Sequence, residues 1–73
     1  MAERLVNRLR ELRVEHDFTQ AVLADRIGVS RKTINTVENG VFIPSTLLAL
    51  RLARALGVGV EAIFSLENEE QHR

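Results

Sequence analysis

Three residues, Gly28-Val29-Ser30, separate two stretches of helical periodicity, and no other feature of the chain restricts its fold as tightly. Upstream, Leu23, Ala24 and Ile27 recur on one face of a helix that Thr19 is placed to cap. Downstream, Ile34 and Val37 form a second stripe, Ser30 is its cap, and Asn39-Gly40 ends it. Gly28 sits where a left-handed residue closes a helix, and Val29 packs inward behind it. So short a connection forces the two axes to cross steeply, which is helix-turn-helix geometry. Ala24 is small where those axes come closest.

Leu5, Leu9 and Leu12, at spacings of four and three, predict a first helix from about Leu5 to His16. Asp17 and Phe18 break it, with Phe18 plugging the core from the turn and His16 meeting free carbonyls at the helix end. Pro44 disfavours helix in the residue before it, and Ser45 caps a fourth helix from about Thr46 to Leu56, closed by Gly57. "GVEAIF" predicts a short fifth helix, and a polar, acidic tail follows over about 67–73. The expectation is one all-α domain over residues 1–73, five helices around one core, with the helix-turn-helix at about 19–39.

Composition and motif content argue against several classes of function. There is no cysteine, which excludes disulfides and thiolate metal sites. His16 and His72 lack a third ligand at useful spacing, so neither a metal nor another cofactor is expected. No apolar run approaches the roughly 20 residues that cross a bilayer, and the charged N-terminus lacks a signal-peptide stretch, which predicts a soluble, cytoplasmic protein. No Ser/His/Asp set, paired carboxylates or phosphate-cradling glycine loop is visible, so no catalysis is expected. The net charge is zero, yet residues 1–54 hold nine Lys/Arg against six Asp/Glu, and residues 55–73 hold one against four. A basic body with an acidic tail keeps nucleic acid in play, because phosphate contacts depend on local charge.

The second helix of the pair is polar on its far side. At about 100° per residue, Lys32, Thr36 and Asn39 lie opposite Ile34 and Val37, Asn35 is on the flank, and Arg31 sits at the exposed start. Alone, Arg31 and Lys32 read as solvated surface. Asn35 and Thr36, however, are poor helix formers on an exposed face, which favours a binding role.

The stretch "TQAVLADRIGVSRKTINTVENG", with "PSTLLALRLARALGV" and "VEAIF" after it, resembles the Xre family, the phage Cro and lambda-repressor type of helix-turn-helix domain. The resemblance spans roughly Asn7 to Phe64 and is closest to the small stand-alone regulators. It implies a compact five-helix lambda-repressor-like domain that binds operator double-stranded DNA as a homodimer, usually to repress transcription. It makes the third helix the recognition helix, with Ser30, Arg31, Lys32, Asn35, Thr36 and Asn39 at the DNA. By base chemistry, Arg and Lys suit guanine, Asn suits adenine, and Thr36 suits a thymine methyl or a phosphate. Thr19 and Gln20 would bind phosphate at a helix N-terminus, backbone amides near Asn39 and Gly40 would clamp the next phosphate, and Arg10 would add a contact. Arg13 and Glu38 fall where the family carries a buried ion pair. The sequence departs from the family at Asp17, where glycine is common, at apolar Val22 and Leu47, and at "VFI", which replaces a more polar loop; these departures imply weaker non-specific binding.

Leu47, Leu50, Ile63, Phe64 and Leu66 exceed what one small core needs and are expected to form a two-fold interface, with "FSL" pairing as a short strand against its symmetry mate. The competing expectation is that Ile63 and Phe64 close the monomer core and only Leu66 is exposed. Two further readings keep the same fold: an antitoxin or other partner-dependent module that holds a toxin, and the controller of a restriction–modification operon.

Overall fold

The computed structural model describes residues 3–68. In chain order they form β1 (Glu3–Asn7), α1 (Leu9–Glu15), α2 (Gln20–Ile27), α3 (Arg31–Glu38), α4 (Thr46–Leu56), α5 (Val60–Ile63) and β2 (Phe64–Asn68). The five helices enclose a core in which Leu9, Leu23, Ile34, Leu52, Leu56, Ile63 and Val37 are essentially sealed from water. At such sites, Leu→Ala changes cost about 2–5 kcal/mol, so the helices hold one another in place. None of the helices is long and apolar enough to cross a membrane among the described residues.

Each helix of the central trio starts on the hydroxyl the sequence provides. Thr19, Ser30 and Ser45 accept from the backbone N–H of Val22, Thr33 and Leu48, satisfying one otherwise orphaned donor apiece. Gly28 and Gly57 close α2 and α4 at φ 76 and 67°, where a side chain would be strained.

The fold is not all-α, because the two ends of the described chain pair. β1 and β2 run antiparallel, with Glu3 opposite Asn68, Leu5 opposite Leu66 and Asn7 opposite Phe64. The first helix therefore begins at Leu9 and not near Leu5. Asn7 accounts for the boundary: its Oδ1 accepts from Leu9 N–H at 2.9 Å, and its Nδ2 donates to the Val37 carbonyl at 2.9 Å. Arg8 N–H donates to the Ile63 carbonyl at 2.8 Å, bonding the corner to α5. A helix running through Asn7 and Arg8 would forfeit these bonds and the strand ladder together. Arg4 and Glu67 pair across the strands at 2.8 Å in the open, an exposed pair worth at most about 1 kcal/mol.

The strand at "FSL" is present, but its partner is β1 of the same chain. Ile63 and Phe64 are buried in the core, as the competing expectation had it, and Phe64 also floors the grooves beside Leu5. Leu47, Leu50 and Leu66 remain exposed. Of the expected acidic tail, Glu67 and Asn68 belong to β2, and residues 69–73 lie outside the described residues.

Candidate nucleic-acid interface

The turn between α2 and α3 is built as its residues dictate. With Gly28 left-handed, Val29 N–H returns to the Ala24 carbonyl at 3.0 Å, and the half-buried Val29 side chain packs on the core. Ser30 then starts α3 at once, its Oγ shared between Thr33 N–H and Thr33 Oγ1. Ile34 and Val37 sink into the core and fix the rotation of α3, which leaves Arg31, Lys32, Asn35 and Asn39 exposed. Arg31 and Lys32 form no ion pair among the described residues, so their donors stay with water.

Thr36 is half-buried, and its hydroxyl donates to the Lys32 and Thr33 carbonyls at 3.1 and 3.0 Å. A phosphate offers only acceptors, so with that proton committed a methyl contact is the better use of this side chain. The amides expected to clamp a phosphate are also engaged. Asn39 N–H bonds to the Asn35 carbonyl and Gly40 N–H to the Val37 carbonyl, because the helix end satisfies itself. At the start of α2, Thr19 takes the Val22 and Leu23 amides, leaving those of Gln20 and Ala21 pointing out of the first turn.

Behind this face lies the ion pair expected at Arg13 and Glu38. Arg13 Nε meets Glu38 Oε2 at 2.5 Å and Nη2 meets Oε1 at 3.3 Å, with the side chains 12% and 1% exposed. Arg13 Nη1 also donates to the Phe18 carbonyl, closing the turn after α1. Gln20 Nε2 donates to Glu38 Oε1 at 3.0 Å, and Arg10 Nε stands 3.7 Å from the same oxygen with its side chain largely in water. Burial pushes the Glu38 carboxyl up. Hydrogen bonds from Arg13 and Gln20, with the charges of Arg13 and Arg10, outweigh that and hold it below its usual range. Gln20 thus turns its amide inward instead of toward solvent, a coupling between helices that no spacing rule reveals. Arg10 remains open to a further anion.

Asp17, outside α1, takes a left-handed backbone at φ 59°, a conformation that glycine adopts freely and Asp tolerates. His16 Nδ1 bonds the Leu12 carbonyl at 2.9 Å, the helix-end role expected of it.

Two short capped helices crossing through a glycine turn, the second bare and polar on its outer side, define a helix-turn-helix domain. Comparison with known proteins narrows the class: the helix-turn-helix family model matches residues 9–63, from the start of α1 to the end of α5. The chain is 44% identical over 64 residues to MJ0272 of Methanocaldococcus jannaschii, an uncharacterised HTH-type transcriptional regulator, covering 88% of this chain and 97% of that one. It is 34% identical over 59 residues to the cryptic phage CTXphi transcriptional repressor RstR of Vibrio cholerae, covering 81% of this chain and 53% of the repressor. Among solved structures, the restriction–modification controller protein C.AhdI of Aeromonas hydrophila superposes with a TM-score of 0.70 at 35% identity, over 74% of this chain and 82% of that one. The chain belongs to the Xre, Cro and lambda-repressor type family of helix-turn-helix transcriptional regulators, whose members bind DNA.

Proposed function

We propose that the protein is a transcriptional repressor that binds an inverted-repeat operator as a homodimer, with α3 of each copy in the major groove. The division of α3 carries this reading. Ile34, Val37 and the Glu38 carboxylate lock one side into the domain, while Arg31 and Lys32 keep every donor for an outside partner. Those donors suit guanine O6 and N7, and the Thr36 methyl suits that of thymine. The open amides at the start of α2, the largely exposed Arg10 and, at the start of α3, the Ser30 hydroxyl suit phosphate oxygens. A repressing role follows the example of RstR, and the reading includes no reaction chemistry and no cofactor.

Dimerisation rests on the apolar residues left uncovered. Leu50 shares a shallow groove with Leu5, and Leu5 shares the next one with Leu66, so the leucines form a continuous strip from α4 to the sheet. A two-fold contact there would set two recognition helices about 34 Å apart, one turn of DNA. Selection of bound duplexes from a randomised pool at moderate salt tests the whole reading. An enriched inverted repeat is expected; a folded protein that enriches nothing would end it.

A further inference from the structure

The atoms that α3 offers to a base edge are set by a row of hydrogen bonds starting in the buried ion pair. Arg13 has only donors and the ionised Glu38 carboxylate only acceptors. The Gln20 amide atom 3.0 Å from Glu38 Oε1 must therefore be Nε2. The same Nε2 lies 3.2 Å from the Asn35 amide, whose facing atom must then be Oδ1. Asn35 Oδ1 is 3.3 Å from the Asn39 amide, which must turn Nδ2 toward it. Flipping any one of the three amides would set donor against donor or acceptor against acceptor. The charge pair behind the helix thus dictates the polarity of the outward row.

We propose that Asn35 is a specificity-determining residue that recognises acceptor-bearing base edges, guanine O6 and N7 or thymine O4, and rejects adenine. The inference rests on the reading of α3 as the recognition helix. An unconstrained asparagine pairs with adenine by accepting from N6 through its oxygen and donating to N7 through its amide. Here both lone pairs of Asn35 Oδ1 are taken, by Gln20 and by Asn39, so the accepting half is withdrawn and two N–H groups remain. The expectation that asparagine on this helix suits adenine is reversed for Asn35. Asn39 keeps its Oδ1 open and complements donor edges, adenine N6 or cytosine N4. Gln20, whose two amide hydrogens are both spent inside the domain, is a positioning residue for Asn35 and leaves phosphate binding to its backbone N–H.

The test is titration of the wild type, Asn35→Asp and Gln20→Ala against duplexes based on the selected operator, varying each base pair of the half-site in turn. Asp at position 35 still accepts from Gln20 and Asn39 but presents oxygen where N–H stood. One position carrying guanine or thymine in the wild-type site is therefore expected to shift its preference to adenine or cytosine in Asn35→Asp. At that position Gln20→Ala, which frees the Asn35 amide to turn, is expected to lower discrimination against adenine about tenfold, other positions holding their preferences. An adenine at the responding position in wild type, or no responding position, would overturn the assignment of Asn35 and leave DNA binding intact. A wild type with no sequence preference would overturn the recognition-helix reading and the assignment with it. Should Gln20→Ala fail to fold, Asn35→Asp decides alone.

Discussion

Glu38→Ala is the perturbation that most directly weighs how this domain is held together. The carboxylate is 1% exposed and receives two hydrogen bonds from Arg13 and one from Gln20. Truncation leaves the Arg13 guanidinium, itself only 12% exposed, with the Phe18 carbonyl as its remaining partner. Breaking a buried pair from one side costs about 3–5 kcal/mol. Arg13 keeps that one bond and some access to water, so the lower end applies, about 3 kcal/mol. In a domain of this length 1 kcal/mol moves the melting midpoint by about 4–8 °C, which places the expected drop at about 12–24 °C. The whole domain is worth only about 4–11 kcal/mol, so the variant stands near the edge of folding. Thermal melting followed by circular dichroism reads this directly, and Arg13→Met combined with Glu38→Leu should lose less than the two single changes added together. A Glu38→Ala midpoint within about 3 °C of the parent would refute the reasoning, since it would mean the pair contributes almost nothing. The same pair gives a pH dependence. The Glu38 carboxyl is held below its ordinary range in the folded state, so its contribution is complete above that range and is lost as pH falls through the depressed value. Between about pH 6 and about pH 3, Glu38→Gln should therefore lose less stability than the wild type does.

Leu50→Glu is expected to leave the fold intact, because Leu50 is 55% exposed, and to convert a dimer to a monomer at micromolar concentration in sedimentation equilibrium; a wild type that is already monomeric there would sink the interface. Lys32→Ala should weaken binding by about 1–3 kcal/mol at one base pair of the operator, and an unchanged preference profile would count Lys32 as surface only. Ser45→Ala removes the cap of α4 and should cost about 1 kcal/mol in chemical denaturation without changing DNA preference.

The central helices were legible because their signals are local. A hydroxyl before the stripe and a glycine after it fixed both ends of α2 and α4, and apolar spacing alone fixed which side of α3 faces inward. β1 was not legible for the opposite reason. Leu5 and Leu9 stand four apart, which suits a helix, and the deciding partner, β2, lies at the other end of the described chain. Asn7 was the one local hint, a residue prone to end regular structure by accepting from the backbone two positions on, as its Oδ1 does from Leu9 N–H. The placement of Ile63 and Phe64 turned on the same pairing. At the interface, residue types on α3 could be read from periodicity, but not which of their atoms are free. That depends on Gln20 meeting Asn35 from another helix, and on a buried charge that orients both.

Because Glu3 and Asn68 are neighbours in the strand pair, the two strands present both of these residues at one edge of the domain, two positions along the ladder from Leu5 and exposed Leu66. A partner fused directly to Glu3 or to Asn68 would therefore stand beside one and the same surface, the strip from Leu50 to Leu66. Moving such a fusion from one strand to the other would not relieve the obstruction, and the "VFI" loop is no refuge, because Ile43 shares a groove with Leu5 and Leu66.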